Sequence, residues 1–332
     1  MKQLWLYVIF SGVVILLGGL IFILRLYRGQ QTIQNFEEQE YGLVRPFLEP
    51  HSVQNGLAVY SAGEGAPVLL FPYPHAATKA PMAQEPLAQI LIGMGRRVVT
   101  FDVPGAYRST REPVGDMQEM ITGATETLER LGIEGPVDVI GHSMGGLSAL
   151  AFAIEHPEHT NKLVLIGTFS GFPAAAKWGM PGSLWRMTDG DYWRLIVWGL
   201  QVKLGTGSLA THKQLQNLME GASYYDKTFF KPLKIEADDH KKGVPVREVL
   251  WGKNMLRKLS YADRLGKVQA PTLVIAGRHD PEGPLPCSQE LHNDIPASSL
   301  VVFEKSGHFP FIEEVQKFTN SLDAFLNSTA GT

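Results

Sequence analysis

The residues best suited to chemistry in this sequence surround a serine that has glycines on both sides. Gly141-His142-Ser143-Met144-Gly145 follows an apolar run and precedes a helical stretch. A strand that turns sharply into a helix strains the serine backbone and leaves no room for side chains two residues away. The amides and dipole of the following helix would stabilise an oxyanion beside the serine. The pattern therefore predicts a nucleophilic serine rather than an incidental serine in a glycine-rich turn.

A serine nucleophile needs a base, and two further positions could provide the base and its acid partner. His308 follows an apolar run and a glycine, so a loop can present its imidazole. Asp280 follows another apolar run and would hold the imidazole in the required tautomer. Glu282 is the alternative acid, but Pro281 and Gly283 place it deeper in the loop. We expect His308 to act as base and Asp280 as acid.

Six short apolar runs predict the strands that position these residues. They are 68–71, 97–103, 136–141, 162–167, 271–277 and 299–304. Near-continuous Val, Ile and Leu are typical of strands buried on both faces, and helix-length amphipathic stretches lie between most of the runs. The chain is therefore expected to form a mostly parallel sheet with helices on both faces.

The motifs resemble those of the α/β-hydrolase fold superfamily, and in particular a serine esterase or lipase-like member with a cap insertion. The resemblance extends from about residue 53 to residue 325, and the stretch 101–109 is a partial match to a loop of the family. The order Ser143, Asp280, His308 agrees with the serine, acid, histidine order of this fold. The resemblance implies an acyl-enzyme mechanism.

The regular alternation of strands and helices stops between two of the runs, which predicts a helical cap over residues 171–268. The hydrolase core would then comprise residues 53–170 and 269–328. The predicted cap contains 16 Lys or Arg and 9 Asp or Glu, a net charge of +7, and five of the six tryptophans. Such a surface could face anionic lipid or acidic substrates, or its aromatic side chains could simply pack inward on the core.

The first residues of the chain predict a membrane anchor. Residues 4–24 contain no charged side chain and as a helix would extend roughly 30 Å, about the thickness of the bilayer core. A cleaved signal peptide is the alternative, although Arg25 and Arg28 follow in place of a small-residue cleavage site. We expect a single-pass anchor over 1–28 and a polar stalk over 29–52. Its charges nearly balance across the membrane and lean towards a cytoplasmic domain.

An oxyanion hole requires two donors, and the sequence provides one of them more clearly than the other. The backbone N–H of Met144 directly follows the nucleophile. The second donor is expected in the loop after residue 71, where Pro72 and Pro74 have no N–H. The backbone N–H of Tyr73 is the best-placed candidate. The Tyr73 hydroxyl and the His75 side chain are alternatives.

Composition and the remaining motifs exclude several other classes. The net charge of −3 disfavours a nucleic-acid partner, and the single Cys287 excludes an intrachain disulfide and a cysteine-based zinc site. The pair His156 and His159 offers two metal ligands without an evident third. We therefore predict no metal, no cofactor and no protein partner.

These observations predict a membrane-anchored serine hydrolase that cleaves carboxylic esters, with a small-molecule ester or a lipid of apolar acyl chain as substrate. A serine at this strand-to-helix turn disfavours epoxide hydrolases and haloalkane dehalogenases, which use aspartate there. Carbon–carbon bond hydrolysis and perhydrolysis remain open, because they use similar triads. The alternative is a catalytically weak, hydrolase-like protein that is tethered to the membrane and binds or scaffolds without turnover.

Overall fold

An eight-stranded sheet forms the centre of the protein in a computed structural model. The structure describes residues 13, 16–20, 50–74, 86–104, 108–111, 116–178, 191–241 and 259–328. The strands are β1 (Ser52–Gln54), β2 (Leu57–Ala62), β3 (Pro67–Leu70), β4 (Arg97–Phe101), β5 (Val137–His142), β6 (Thr160–Ile166), β7 (Thr272–Gly277) and β8 (Ser298–Phe303). Their order in the sheet is β1-β2-β4-β3-β5-β6-β7-β8.

All six apolar runs form strands of this sheet, as the sequence predicts. The five pairings among β3 to β8 are parallel. In β5, Val139 packs into the hydrophobic cluster on one face and Ile140 into the cluster on the other. Both faces are therefore buried, which explains why the runs read as nearly continuous Val, Ile and Leu. The prediction of a mostly parallel sheet is confirmed.

The first two strands were not among the six runs and form an antiparallel hairpin at the sheet edge. Asn55 and Gly56 connect them, and both have positive φ, 48° and 72°. A two-residue type I′ turn requires positive φ at both central positions, and Asn-Gly is its preferred sequence. Strand β2 then pairs antiparallel with β4.

Helices cover both faces of the sheet. They are α1 (Pro86–Gly93), α2 (Met117–Arg130), α3 (Ser143–Glu155), α4 (Phe172–Trp178), α5 (Tyr192–Lys203), α6 (Leu209–Ala222), α7 (Leu285–Asp294), the single turn α8 (Pro310–Glu313) and α9 (Val315–Asn327). Short 3₁₀ helices span Pro157–His159, Lys227–Phe229, Ala237–His240 and Ala262–Lys267. Buried side chains of α2, α3 and α7 pack on one face, and those of α1 and α9 pack on the other.

The chain leaves the sheet after β6 and returns close to the point of departure. Gly171 forms an antiparallel bridge with Ser260, and the Tyr261 N–H donates to the Ser170 carbonyl at 2.7 Å. Between these points lie α4, α5 and α6. Residues after the bridge, including Leu265, belong to the main core. The chain thus rejoins the core at about residue 260.

A buried lysine anchors the last helix to the sheet. Lys162, on β6, is 4% exposed, and its ammonium donates to the carbonyls of Phe325, Leu326 and Ser328 at 2.6–2.9 Å. These carbonyls belong to the carboxyl end of α9, where the helix leaves its last carbonyls without intrahelical partners. A cation at this end is also favoured by the helix dipole.

The predicted anchor over 1–28 lies almost entirely outside the described residues, as does most of the predicted stalk over 29–52. Within the part of the chain that the structure describes, no helix is long and apolar enough to cross a membrane. The last residue of the predicted stalk, Ser52, is the first residue of β1.

Candidate active site

Ser143 occupies a strained turn between β5 and α3. Its φ is +53°, in the left-handed region that non-glycine residues rarely adopt. A Cβ on Gly141 would lie 2.3 Å from the Gly145 carbonyl oxygen, and a Cβ on Gly145 would lie 2.8 Å from the Phe71 carbonyl oxygen. Only glycine permits these close approaches. The structure therefore has the local geometry that the glycine spacing predicts.

The loop after β3 packs against the first turn of α3. The contact of Gly145 with Phe71 brings this loop beside the amino end of the helix, and the Phe71 N–H donates to the Ile140 carbonyl at 2.9 Å. The first N–H groups of a helix have no intrahelical acceptor, so the Met144 N–H points out of the helix end. Tyr73 follows two residues after Phe71, at the same end of the sheet. His75, the other candidate in this loop, lies outside the described residues.

A hydrogen-bonded chain connects this loop to the candidate base. His142 Nε2 lies 2.8 Å from the carbonyl oxygen of His308, and His142 Nδ1 lies 2.5 Å from the hydroxyl oxygen of Tyr73. A carbonyl can only accept, so Nε2 must carry the proton and Nδ1 accepts from the Tyr73 hydroxyl. Burial and the neighbouring His308 charge hold the pKa of His142 well below its ordinary value, which favours this neutral form.

This series of hydrogen bonds decides between the two oxyanion donors that Tyr73 offers, its hydroxyl and its backbone N–H. The Tyr73 hydroxyl donates its single proton to His142, so the hydroxyl is not the donor for an oxyanion at Ser143. The backbone N–H of Tyr73 is then the remaining candidate of this residue. His142, the residue directly before Ser143, also holds the His308 backbone through this hydrogen bond.

Asp280 and His308 form a buried pair. Asp280 Oδ2 accepts from His308 Nδ1 at 2.8 Å, and both side chains are at most 3% exposed. The second oxygen, Asp280 Oδ1, accepts from the backbone N–H groups of Glu282 and Gly283 at 2.8 and 2.9 Å. The carboxylate is thus fixed by three donors, and the nitrogen left for Ser143 and a substrate is Nε2.

The protonation of His308 depends on two opposing effects. Burial lowers its pKa, but the negative charges of Asp280 and Glu282 and the hydrogen bond that His308 donates to Asp280 outweigh burial and raise the pKa to about 9. The protonated imidazole is therefore the stable form of the resting site near neutral pH.

Glu282 contacts the opposite side of the imidazole from Asp280. Its Oε2 lies 3.6 Å from His308 Nε2, while its Oε1 accepts from the Ser223 hydroxyl at 2.5 Å. Ser223 follows α6, and its carbonyl also accepts from the His308 N–H at 2.7 Å. From the sequence alone, Glu282 is a candidate only as the alternative acid to Asp280. Its acidic side chain two residues after Asp280 was the available signal, whereas nothing in the sequence indicates Ser223.

A second cluster of ligating side chains lies at the far end of α3. Glu158 Oε1 lies 3.1 Å from His156 Nδ1 and 3.8 Å from His159 Nε2, so the third partner that the sequence did not reveal is Glu158. One ligand atom from each residue lies within 4.8 Å of the others, a set that could accommodate a zinc-type ion. The length of α3, roughly 20 Å, separates this cluster from Ser143, so it takes no part in chemistry there.

Comparison with known sequences agrees with the family that the sequence motifs resemble. A sequence model described as "alpha/beta hydrolase fold" matches residues 78–315. A 2-hydroxy-6-oxononadienedioate/2-hydroxy-6-oxononatrienedioate hydrolase of Dechloromonas aromatica is 30% identical over 248 residues, which cover 71% of this chain and 78% of the relative. A pimeloyl-(acyl-carrier protein) methyl ester esterase of Vibrio vulnificus is 26% identical over 233 residues, which cover 69% and 83% of the two chains.

Solved structures show the same architecture. An esterase from Exiguobacterium antarcticum superimposes with a TM-score of 0.60 at 21% sequence identity, and the match covers 82% of this chain and 96% of the esterase. At this identity the likeness concerns the fold alone. The family match extends over most of the chain and includes Ser143, Asp280 and His308. The resemblance predicted from the motifs is confirmed, and the chain belongs to the α/β-hydrolase family.

Proposed function

We propose that this hydrolase cleaves carboxylic esters through an acyl-enzyme at Ser143, with His308 as base and Asp280 as the acid that orients it. The supporting observation is the combination of a strained, glycine-flanked serine with a buried Asp280–His308 pair whose Nε2 is left for the reaction. His142 connects the two halves of this site through the His308 carbonyl.

The geometry supports the following sequence of steps. Ser143 Oγ attacks the acyl carbon while its proton passes to the neutral His308 Nε2, and the Met144 and Tyr73 backbone N–H groups hold the oxyanion. The imidazolium then protonates the leaving alcohol, and the acyl group stays on Ser143. Water, deprotonated by the same nitrogen, releases the acid and restores the serine. Asp280 remains ionised and stabilises the imidazolium throughout.

A second reaction is supported by the relatives. The Dechloromonas relative is named for a dienedioate, whereas the Vibrio relative is named for a methyl ester. Hydrolysis of a carbon–carbon bond could use the same serine and histidine. We place ester hydrolysis first, because a strained serine with a base and two oxyanion donors is sufficient for acyl transfer to water.

We further propose that the enzyme is a single-pass membrane protein, anchored by residues 1–28 through a stalk over 29–52, and that the segment 171–268 forms a lid over the site up to its return to the core near residue 260. The segment 171–268 carries a net charge of +7, which favours anionic headgroups. Trp193, Val197 and Leu200 of α5 are 74%, 47% and 51% exposed. Their spacing of four and three residues puts them on one face of the helix, as expected of an interfacial contact.

Labelling with a fluorophosphonate probe tests the catalytic proposal. The full-length protein should form a covalent adduct, and Ser143→Ala should abolish both the adduct and ester hydrolysis. Ser148→Ala is the matched control, because Ser148 is a buried serine five residues further along the same helix. Equal hydrolysis by folded Ser143→Ala protein would refute the mechanism. Absence of labelling in the folded wild type would favour the non-catalytic scaffold.

A chain-length series tests the lid and membrane proposal. The full-length protein in nanodiscs should hydrolyse p-nitrophenyl esters of medium chain length faster than the acetate, and anionic lipid should increase the rate more than zwitterionic lipid. Trp193→Ser should reduce the response to lipid while leaving acetate hydrolysis unchanged. Preference for acetate with no response to lipid composition would contradict the proposal and leave the Ser143 mechanism intact.

A further inference from the structure

A second carboxylate lies near the ring nitrogen of His308 that Asp280 leaves unused. Asp280 occupies Nδ1 of His308, so Nε2 is the ring nitrogen left for the serine and an ester. Oε2 of Glu282 lies 3.6 Å from Nε2. The Glu282 side chain is 41% exposed, whereas the imidazole is 3% exposed. Glu282 is thus a partly exposed carboxylate beside the buried ring nitrogen that the reaction would use.

The position of this carboxylate is fixed on both sides. From the core, Asp280 Oδ1 accepts from the N–H groups of Glu282 and Gly283, which holds the loop backbone. From the segment 171–268, the Ser223 hydroxyl donates to Glu282 Oε1 at 2.5 Å. Ser223 is itself held against the histidine loop, because its carbonyl accepts from the His308 N–H. A side chain restrained in this way is part of the site rather than a freely rotating surface charge.

The charged groups around His308 give this part of the site a negative potential. Asp280 and Glu282 are both acidic and both raise the pKa of His308. His142, whose ring centroid lies 4.4 Å away, is neutral because burial lowers its pKa. On the α8 side, Glu313 accepts from the Gly307 N–H. One imidazolium therefore lies beside two carboxylates, and Glu313 holds the histidine loop.

We propose that Glu282 determines substrate charge: the site accepts esters that are neutral or cationic near the scissile bond and rejects those that carry a carboxylate there. The inference rests on the proposed ester hydrolysis at Ser143. It also separates this chain from a relative such as the one named for a dienedioate, because a dioate brings two carboxylates to the enzyme. A carboxylate held within a few ångströms of Glu282 would be repelled with little screening.

Three p-nitrophenyl esters of similar length test the proposal with the full-length protein. They are the neutral pentanoate, the anionic glutarate monoester and the cationic 4-(trimethylammonio)butanoate. For the wild type, kcat/KM should be about tenfold to a hundredfold lower for the anionic ester than for the neutral one, as expected for like charges close together near a protein surface. Comparison at one pH cancels the ionisation of His308, because all three esters need the same neutral base.

Glu282→Gln keeps the shape and removes the charge. It should raise the anionic-to-neutral ratio of kcat/KM at least tenfold, and it should lower the cationic-to-neutral ratio. The acid limb of the pH profile should also move to lower pH, because the Glu282 charge stabilises protonated His308. The matched control is Glu304→Gln, which removes an exposed carboxylate paired with Arg278. It should change neither of the two kcat/KM ratios and should leave the acid limb of the pH profile in place.

Unchanged ratios and an unchanged acid limb in an active Glu282→Gln enzyme would overturn the assignment of Glu282. That result would leave ester hydrolysis at Ser143 in place. If the wild type hydrolyses none of the three esters and takes no fluorophosphonate label, the proposed function itself fails. Ser223→Ala gives a milder test, because it frees the carboxylate without removing its charge. It should shift the charge ratios in the same direction as Glu282→Gln and by a smaller factor.

Discussion

Replacing Asp280 with asparagine is the sharpest test of which carboxylate orients the base. The side-chain oxygen of an asparagine can still accept from the Glu282 and Gly283 N–H groups, so the loop should keep its fold. The other end of the amide would then present N–H to His308 Nδ1, which at present donates to Asp280 at 2.8 Å. An amide donor requires Nδ1 to accept, and the single proton of the neutral ring moves to Nε2.

The size of the effect follows from this change of tautomer. With a proton on Nε2, the neutral imidazole has no lone pair for the Ser143 hydroxyl, and the imidazolium loses its compensating charge. In serine proteases the same exchange lowers kcat by about ten-thousand-fold, or about 5 kcal/mol in the activation free energy. We expect a loss of this order for Asp280→Asn. Glu282→Gln should change the plateau kcat/KM for a neutral ester by only a few-fold.

Both variants can be measured in one assay. Initial rates of p-nitrophenyl pentanoate hydrolysis from pH 6 to 10, corrected for the uncatalysed reaction, give kcat/KM and the apparent pKa of the base. Circular dichroism and urea unfolding report whether each variant is folded. If folded Asp280→Asn keeps more than a tenth of wild-type activity while Glu282→Gln loses a hundredfold at the plateau, Asp280 is not the orienting acid.

The remaining predictions concern pH and stability. Only neutral His308 can accept the serine proton, and its pKa is about 9. The wild-type kcat/KM should therefore rise about tenfold per pH unit from pH 7 until about pH 9. A plateau already at pH 7 would contradict this. Because the pKa of His308 is higher in the folded protein, its protonation stabilises the folded state fully below pH 6.5, the ordinary pKa of histidine. This stabilisation is lost as pH rises to about 9, so the urea midpoint should fall over that range. Tyr73→Phe leaves a buried acceptor on His142 without a donor and should lower the free energy of unfolding by about 1–3 kcal/mol; no change in urea unfolding would argue against the assigned tautomer. Lys162→Met should cost about 2–4 kcal/mol in the same measurement, because several buried carbonyls lose a charged donor, whereas the exposed Lys317→Met should cost under 1 kcal/mol; equal losses would contradict this account.

The sequence predicts the central sheet well because burial on both faces leaves a strong compositional signal. Each of the six apolar runs coincides with a strand, and the predicted and observed ends agree within two residues. The hairpin of β1 and β2 was missed because β1 has three residues and is mostly exposed, so it has no apolar run. Asn55-Gly56 was the local signal for this turn, since both residues tolerate positive φ.

The order of the candidate triad could also be read from the sequence, whereas its surroundings could not. Strand ends bring Asp280 and His308 together, and that placement follows from a parallel sheet. The contacts of Ser223 with Glu282 and of Tyr73 with His142 join residues 59 and 69 positions apart. Such contacts depend on how loops and the segment 171–268 pack, and neither periodicity nor spacing encodes them.

The left-handed backbone of Ser143 has a consequence for how this protein can change over time. A non-glycine residue in this conformation costs of order 1–3 kcal/mol, and glycine would remove most of that cost. Ser143→Gly should therefore increase the melting temperature while it abolishes the nucleophile. A protein under selection for folding alone would gain from that single substitution. The chain instead keeps serine at this strained position. Such a loss of stability is expected where selection maintains turnover rather than binding alone.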